Sequence, residues 1–484
     1  MRSLLTLLIA LTAFGTHAQN ERRLEFQLNG APQRKVYLAN YYGNRLYYTD
    51  SAVTDAQGKA VFARPTGYKP GVYGLLLGNK RLEVVVTEPL VRMSTDAADP
   101  EAKATVLESR ENQLFRSYKA LMASGAPADS IMAQALRMAA ANPGTLAAQI
   151  IQLGRVTDRR PVLSANGAVD SVATMERLRT HFWDGVDLKD ERLFGVPAFQ
   201  NKLEEYVALA MPLDAAAINT HVDALIERTA NTPDMRKFMV NWITTKYESS
   251  QVDGMDGVYV HMAQKHVCSR PDGTLDAMWT PAEKWKKVCE RAKKKQPLQI
   301  GETAMQLTLV DTTAKNWVNM QQLPEPCVVV VFWSPHCSHC KQALPVLHKE
   351  WKEQLKPLGV GIYAVAEAQD SAHFTDWKAF VKANQLEWTN VGAAWPVHRA
   401  WKRNPAAFVP KLTNTESMRY QESWEVFNTP VYYIVDKERR IAGRPKTLKD
   451  LFAIAKEVAQ RKQVGPYSSV MCTRTFWNSV GSAA

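Results

Sequence analysis

The spacing of hydrophobic and polar residues changes between the early and the middle part of the chain. From Leu24 to Glu88, short apolar runs are separated by turn-forming residues such as Asp55-Ala56-Gln57-Gly58, a pattern typical of strands joined by hairpins. From Asp99 to about Lys295, apolar residues recur at helical spacing. The positions that open this second pattern are Val106, Leu114, Phe115, Tyr118, Leu121 and Met122. We therefore predict a small antiparallel β domain followed by an all-α block.

A third pattern begins near Pro297, where short apolar strands alternate with amphipathic helices. Such alternation indicates a sheet covered by helices. Predicted strands lie at 328–333, 360–366, 431–435 and 440–443, and predicted helices at 341–354, 376–384 and 448–461. The fold class is thus α+β multidomain. The expected segments are a leader at 1–18, the β domain at 19–98, the helical domain at 99–296, an α/β domain at 297–463 and a tail at 464–484.

The first residues have the composition of an export signal. Arg2 is followed by an apolar stretch from Leu4 to Phe14 and by Thr16-His17-Ala18, a small-residue cleavage site. We expect the mature protein to begin near Gln19. No later apolar run in the sequence is long enough to span a bilayer. The expected location is therefore the periplasm or cell envelope, without a transmembrane anchor in the mature chain.

The 484-residue chain carries a formal charge of +12 at pH 7. Nucleic acid is not expected as a partner, because an exported protein rarely meets it and the excess charge is spread over much of the sequence. One dense cluster of cations lies between Lys284 and Lys295, with Trp285, Val288 and Ala292 interleaved at helical spacing. We interpret this cluster as a solvated helix face, with an acidic partner or an anionic membrane surface as the alternatives.

The predicted export makes disulfides among the six cysteines more plausible, because disulfides persist outside the cytoplasm. Cys268 and Cys289 flank a loop rich in turn residues, and a structural disulfide between them is possible. Spacing alone does not show that their Cα atoms come close enough, so free thiols stay the alternative. Cys327 opens an apolar strand and is interpreted as a buried thiol. Cys472 lies in the tail, where we assign it no role.

The remaining two cysteines form the motif Cys337-Ser338-His339-Cys340, at the end of a predicted strand and the start of a helix. Free N–H groups and the positive helix end stabilise a thiolate there, so Cys337 is the expected nucleophile and Cys340 the resolving cysteine. His339, with His336, adds positive charge that favours the reduced pair and makes its disulfide more oxidising. A zinc site would need a second pair of ligands. We expect no metal and no cofactor beyond the cysteine pair.

The stretch from Trp333 to Lys341, with Pro345 and Thr429-Pro430 further on, resembles the thioredoxin-like proteins. It looks like the envelope thiol-disulfide proteins of Gram-negative bacteria that are related to the cytochrome c maturation reductases. The resemblance implies a thioredoxin-like fold for 297–463, a cis bond before Pro430, and substrate binding by Thr429, Pro430 and Trp333. The β and helical segments upstream resemble uncharacterised modules attached to such domains.

Two positions depart from the pattern of that family. Simple thioredoxins bury an acid in the strand before the cysteines, where this chain has Val331, and many envelope relatives carry Glu where it has Ala343. Glu367 is the remaining candidate acid for the site, with an ordinary loop carboxylate as the alternative. The Ser-His dipeptide between the cysteines is closer to protein disulfide isomerases and periplasmic oxidases. These features favour a more oxidising, less reductase-like pair.

We therefore predict a thiol-disulfide oxidoreductase that exchanges disulfides with cysteine-containing envelope proteins and with an unknown redox donor or acceptor, in either direction. A peroxidase of the peroxiredoxin type is the first alternative. Ser334, three residues before Cys337, supports it, and Val330, where a proline is expected, speaks against it. The second alternative is a non-enzymatic binding or stress-adaptor protein with a thioredoxin-like scaffold.

Overall fold

The computed structural model describes residues 22–461, except 65, 213, 251, 253, 269 and 271–273. The predicted export signal, and the predicted tail with Cys472, lie outside these residues. The chain divides into two compact units. The first contains the described residues up to 211 and 228–238, and the second contains 212–227 and the described residues from 239 onward. No helix within the described ranges has the length and apolar composition that crossing a bilayer requires.

Within the described residues, two four-stranded sheets open the first unit. Their strands are β1 (Arg23–Asn29), β2 (Lys35–Tyr42), β3 (Arg45–Val53), β4 (Lys59–Phe62), β5 (Gly71–Leu77), β6 (Lys80–Val86), β7 (Leu90–Asp96) and β8 (Thr105–Glu108). The orders are β4-β1-β7-β8 and β3-β2-β5-β6, and the pairs are antiparallel except β1 with β7. Both sheets place alternate side chains, such as Phe26 and Leu75, in one core. The predicted N-terminal β domain is thereby confirmed, with one parallel pair that local hairpin patterns do not reveal.

The helical pattern begins later than the sequence predicted. Val106 lies in β8, opposite Met93 of β7, and packs against the β core. The prediction was wrong here because a single apolar residue fits either period, so spacing alone cannot separate Val106 from Leu114 and the helical residues after it. The helices begin with α1 (Arg110–Met122), which Ser109 caps by accepting a hydrogen bond from the N–H of Asn112.

Helices and one short hairpin complete the first unit. The helices after α1 are α2 (Ala128–Ala140), α3 (Leu146–Leu153), α4 (Ser171–His181) and α5 (Pro197–Ala210), and the hairpin consists of β9 (Val162–Leu163) and β10 (Val169–Asp170). Glu111, a buried carboxylate of α1, accepts hydrogen bonds from the N–H groups of Leu146 and Ala147 at 2.9 and 2.8 Å. A carboxylate in this position satisfies free donors at a helix N-terminus. Glu111 therefore joins α1 to α3.

The second unit combines helices with a seven-stranded mixed sheet. Its first helices are α6 (Ala215–Glu227), the larger part of α7 (Pro233–Glu248), α8 (Asp256–His266) and α9 (Ala282–Lys295). The strands are β11 (Thr308–Asp311), β12 (Trp317–Asn319), β13 (Cys327–Trp333), β14 (Val360–Ala366), β15 (Thr389–Gly392), β16 (Val431–Val435) and β17 (Ile441–Gly443). The later helices are α10 (Ser338–Glu350), α11 (Ser371–Ala383), α12 (Trp395–Arg403), α13 (Thr415–Met418), α14 (Tyr420–Ser423) and α15 (Leu448–Gln460).

The order of the sheet is β12-β11-β15-β14-β13-β16-β17, which places β13 in its interior. β13 pairs in parallel with β14 and antiparallel with β16, and its seven residues are all buried. Alternate side chains of β13 serve two cores, with Val329 and Val331 on one face and Val328 and Val330 on the other. The predicted thioredoxin-like sheet domain is confirmed, and β14 and β16 have the predicted bounds.

Two helices of this domain begin earlier than the apolar spacing predicted. α10 begins at Ser338 instead of residue 341, and α11 begins at Ser371 instead of Asp376. Asp370 caps α11 by accepting a hydrogen bond from the N–H of His373 at 2.9 Å. Capping residues are polar and have no period, so a prediction from apolar spacing misses the first turn.

Covalent and polar cross-links hold the helices that precede the sheet. Cys268, just after α8, and Cys289 of α9 form a disulfide, with their Cα atoms 5.9 Å apart. The carboxylate of Asp223 in α6 accepts hydrogen bonds of 2.7 to 3.0 Å from three side chains in the second half of α8. Those donors are His261, Lys265 and His266. The cross-links fix α6 and α9 to α8.

Truncation of a core residue tests this packing. Leu347 of α10 is 0% exposed and its neighbour Val346 is 51% exposed. Leu347→Ala should lower the free energy of unfolding of the second unit by about 2–5 kcal/mol, because it leaves a cavity. Val346→Ala, the matched control, should change it by less than about 0.5 kcal/mol. Urea unfolding of the whole chain, followed by tryptophan fluorescence, measures both, and equal losses would contradict the packing described for α10.

Candidate active site

Cys337 lies at the junction between β13 and α10. It is the N-terminal cap residue of α10, with an extended backbone (φ −81°, ψ 118°). The Cys337 sulfur accepts a hydrogen bond from the N–H of Cys340 at an N–Sγ distance of 3.3 Å. The Cys337 carbonyl accepts one from the N–H of Lys341 at 3.1 Å. The sulfur therefore lies where the free N–H groups of the first helical turn point.

The two sulfurs of the motif lie in different surroundings. Cys337 is partly exposed, whereas Cys340 is 0% exposed. Partial burial, the largest single effect on Cys337, opposes its charge. Several hydrogen bonds together outweigh burial and hold the pKa of Cys337 below its ordinary value. Their donors are the side chains of Cys340 and Thr429 and the N–H groups of Cys340 and His339. Burial, and then the interaction with Cys337, raise the pKa of Cys340. A thiolate thus forms first on Cys337, the sulfur that solvent reaches.

The segment before β16 lies against the Cys337 sulfur. The thiol of Cys337 donates to the carbonyl oxygen of Thr429, with an Sγ–O distance of 3.3 Å. Thr429 and Pro430 are both partly exposed, and the peptide bond between them is cis. The structure therefore brings Thr429 and Cys337, far apart in the sequence, to one place on the surface of the second unit.

The histidines near the motif have different neighbours. His339 is exposed on the first turn of α10. His336 Nε2 lies 2.7 Å from Asp376 Oδ2, and the ring centroids of His336 and His373 are 3.8 Å apart. His373 Nε2 in turn lies 3.7 Å from Glu367 Oε2. Among the described residues, the ion-pair partner of the Glu367 carboxylate is therefore His373 and not a group of the cysteine motif.

The sequence analysis did not single out His373 or Asp376. Both belong to α11, and the chain between them and His336 contains a helix and a strand. Their contacts depend on how α11 packs beside the end of β13, which is a long-range property. No motif in the sequence links these residues to the cysteine pair, and the predicted helix began only at Asp376, after His373.

Trp333 ends β13 inside the core. Trp333 is 1% exposed, and its ring centroid lies 5.2 Å from that of Phe380. A substrate contact of the kind predicted for Trp333 would require this ring to be uncovered first. In the structure, Trp333 instead supports the strand end that leads to Cys337.

Tyr432 is a further residue of the site that the sequence analysis did not name. It faces Val331 across the β13–β16 ladder and shares a core with Cys340. Burial raises the pKa of Tyr432, and the charges of Cys340 and Cys337 add to the rise. The phenol therefore lies within electrostatic reach of both sulfurs. Its only signal in the sequence is its place in a predicted strand, the second residue after Pro430.

In the described part of the chain, one group of side chains has the spacing of metal ligands. The ligand atoms of Asp223, His261 and His266 lie within 4.8 Å of one another. These atoms already pair with each other, since the carboxylate of Asp223 accepts hydrogen bonds from both imidazoles and from the ammonium group of Lys265. The group thus acts as the polar cross-link between α6 and α8.

Residues 300–444 match the model of the AhpC/TSA family. The matched residues contain the seven-stranded sheet, and this part of the second unit has a thioredoxin-like fold. No curated protein sequence matches the chain.

Several solved structures are similar to this chain. A thioredoxin-like protein from Bacteroides caccae is 14% identical, with a TM-score of 0.43, and the match covers 62% of this chain and 99% of that one. The thioredoxin domain of a thiol-disulfide oxidoreductase from Bacteroides vulgatus is 24% identical (TM-score 0.26), covering 33% and 97% of the two chains. A domain of a possible thiol-disulfide isomerase from Cytophaga hutchinsonii is 23% identical (TM-score 0.26), covering 33% and 93%.

The lowered pKa of Cys337 predicts a pH profile of alkylation. Because only the thiolate reacts, the rate at Cys337 should rise with pH and reach half of its plateau below pH 9.0, the ordinary thiol value. Cys327 is buried, which raises its pKa to about 12, so it should react only after unfolding. Pulses of iodoacetamide over a range of pH, followed by peptide mass mapping, measure each cysteine separately. A midpoint for Cys337 at or above 9.0 would contradict the assigned surroundings.

Proposed function

We propose that the chain is a thiol-disulfide oxidoreductase whose active pair is Cys337 and Cys340. The observation that carries the proposal is the asymmetry of this pair. A partly exposed sulfur with a lowered pKa lies at the N-terminus of α10, and a buried thiol follows one turn later. Disulfide exchange through a mixed disulfide requires such a nucleophile and a resolving partner close behind it.

In the reducing direction, the Cys337 thiolate attacks one sulfur of a substrate disulfide. The substrate S–S bond breaks, a Cys337–substrate disulfide forms, and the departing thiolate takes a proton from water. Cys340 then loses its proton and attacks the Cys337 sulfur, which forms the Cys337–Cys340 disulfide and releases the second substrate thiolate. Two electrons pass from the pair to the substrate. The reverse sequence oxidises a substrate dithiol, and a separate redox protein would restore the pair.

The surroundings of the pair favour an oxidising potential. A stabilised Cys337 thiolate favours the reduced pair, so the Cys337–Cys340 disulfide oxidises other thiols more readily. Val331 occupies the position of the acid in simple thioredoxins, and Tyr432 faces it. Position 331 therefore offers no carboxylate that could accept the proton of Cys340. We assign Glu367 a positioning role, through His373, on the residues beside Cys337.

We expect the substrates to be cysteine-containing proteins of the periplasm or envelope, where the predicted export signal would direct the chain. Thr429 and Pro430 are proposed to bind the extended backbone of the substrate, because they lie beside the reactive sulfur. His339 would supply positive charge near Cys337 from its exposed position. Trp333 would act from the core, by holding the end of β13 in place.

A trapping experiment tests the assigned roles. The Cys340→Ala variant should accumulate mixed disulfides between Cys337 and substrate proteins, because nothing attacks the Cys337 sulfur a second time. The matched Cys337→Ala variant should accumulate none, since its remaining thiol is buried and its pKa is raised. Non-reducing electrophoresis of periplasmic extracts, with and without dithiothreitol, measures both. Equal trapping by the two variants would show that the roles are wrongly assigned.

The match to the AhpC/TSA family favours a second candidate, a peroxidase of the peroxiredoxin type. In that reaction the Cys337 thiolate attacks the O–O bond of a peroxide, which gives a sulfenic acid on Cys337 and releases water or an alcohol. Cys340 then attacks the sulfenic sulfur, forming the disulfide and a second water. Ser334 lies beside the motif, and its carbonyl accepts from the N–H of Cys337 at 3.1 Å. Val330, where that family would have proline, is buried within β13.

Oxidation by hydrogen peroxide separates the two candidates. If the exchange function holds, Cys337 in the Cys340→Ala variant should form sulfenic acid no faster than a small-molecule thiol with the same thiolate fraction. Rapid-mixing kinetics with a sulfenic-acid trap measure this rate, and the Cys337→Ala variant gives the background. Oxidation far faster than the small thiol, without efficient disulfide exchange, would favour the peroxidase.

A further inference from the structure

A cleft of about 740 Å³ lies between α9 and the segment that leads into β16. Its volume falls within the range of ~300–1,000 Å³ that is usual for ligand sites. On the strand side it is lined by Phe427, Pro430, Val431 and Tyr432. Pro430 directly follows Thr429, whose carbonyl lies 3.3 Å from the Cys337 sulfur. A segment whose cysteine reacts with Cys337 would therefore continue into this cleft.

Most of the cations that line the cleft belong to α9. The cations in the lining outnumber the two carboxylates, Glu290 and Glu425. These cations are Lys287, Arg291, Lys294, Lys295, Arg444 and Lys446. The positive excess means that the cleft attracts anionic groups.

Two of these cations are available to a ligand. Arg291 pairs with Glu248, and Lys295 pairs with Glu425 at 2.8 Å. Lys287 and Lys294 are exposed, and neither forms an ion pair within the described part of the chain. They are two turns apart, which places them on the same face of α9. Cations stabilise the C-terminal end of a helix, which explains a lysine at position 294. The same effect does not explain Lys287, because it lies in the middle of α9.

An apolar side chain also lines the cleft. Phe427 is 76% exposed, although it lies two residues before Thr429 and its ring lines the cleft. An exposed aromatic ring beside a reactive centre provides area for contact with a partner. The cleft thus offers cations on one wall and an aromatic ring on the other.

We propose that this cleft binds an acidic segment of the substrate protein, with Asp or Glu residues close in sequence to the cysteine that reacts with Cys337. Lys287 and Lys294 contact the carboxylates, and Phe427 contacts an apolar side chain nearer the cysteine. The inference rests on the proposed exchange function, and it names the substrate class that α9 selects.

Charge reversal on α9 tests the proposal in the full-length protein. The test variant is K287E/K294E, and the matched control is K286E/K293E. The control residues lie one position earlier and about 100° around the helix, and neither lines the cleft. The substrates are three disulfide-linked peptide dimers of equal length, in which Glu, Gln or Lys residues flank the cysteine. Fluorescence measures the rate constant of their reduction by the reduced protein.

The native protein should reduce the Glu peptide about tenfold faster than the Gln peptide, in the range of electrostatic steering. K287E/K294E should lose this preference and favour the Lys peptide, while K286E/K293E should keep the native order. Added salt should reduce the preference, because it screens exposed charges. Phe427→Ala should slow all three peptides alike.

Other outcomes would overturn the proposal. If native protein reduces the three peptides at equal rates, the exchange function stands and the acidic preference falls. If it reduces none of them, nor a small aromatic disulfide, the exchange function itself is wrong and this inference falls with it. Binding to phosphatidylglycerol vesicles that K287E/K294E abolishes, without any peptide preference, would assign the same cations to a membrane surface.

Discussion

The position of one thiolate at the N-terminus of α10 is the constraint on which the site depends. A charge on sulfur is stable there because the Cys337 sulfur accepts hydrogen bonds from N–H groups of the first helical turn and from the side chains of Cys340 and Thr429. The fully buried strand β13 holds this turn in place, since its two faces belong to two separate cores. A shift of β13 by one residue would exchange the side chains that the strand presents to the two cores.

Burial gives the two cysteines different surroundings. Cys340 is only three residues after Cys337, yet its side chain belongs to the core that contains Val331 and Tyr432. A charge on Cys340 is costly there, so the negative charge of the reduced pair stays on Cys337. The same core excludes water from the back of the pair. A thiolate on Cys337 therefore faces solvent, beside Thr429.

Local patterns in the sequence predicted what depends on neighbours along the chain. The bounds of β14 and β16 followed from continuous apolar runs, and the cysteine motif followed from its place between a strand and a helix. Patterns of this kind do not show which distant segments meet. His336 meets His373 and Asp376 because α11 packs near the end of β13. Tyr432 lies opposite Val331 because β16 pairs with β13. Val106 was misassigned because one apolar residue carries no period.

The helix α9 shows how the part of the second unit upstream of the sheet bears on the cysteine pair. Its buried face carries Trp285, whose ring centroid lies 4.5 Å from that of Trp279, and Cys289 ties it covalently to Cys268. A helix held at these points keeps its opposite face in a fixed place. Lys287 and Lys294 then lose only side-chain freedom when they meet a carboxylate, whereas cations on a mobile loop would also lose backbone freedom. The anchoring of α9 would thus let Lys287 and Lys294 select among substrates, as the proposed acidic preference requires.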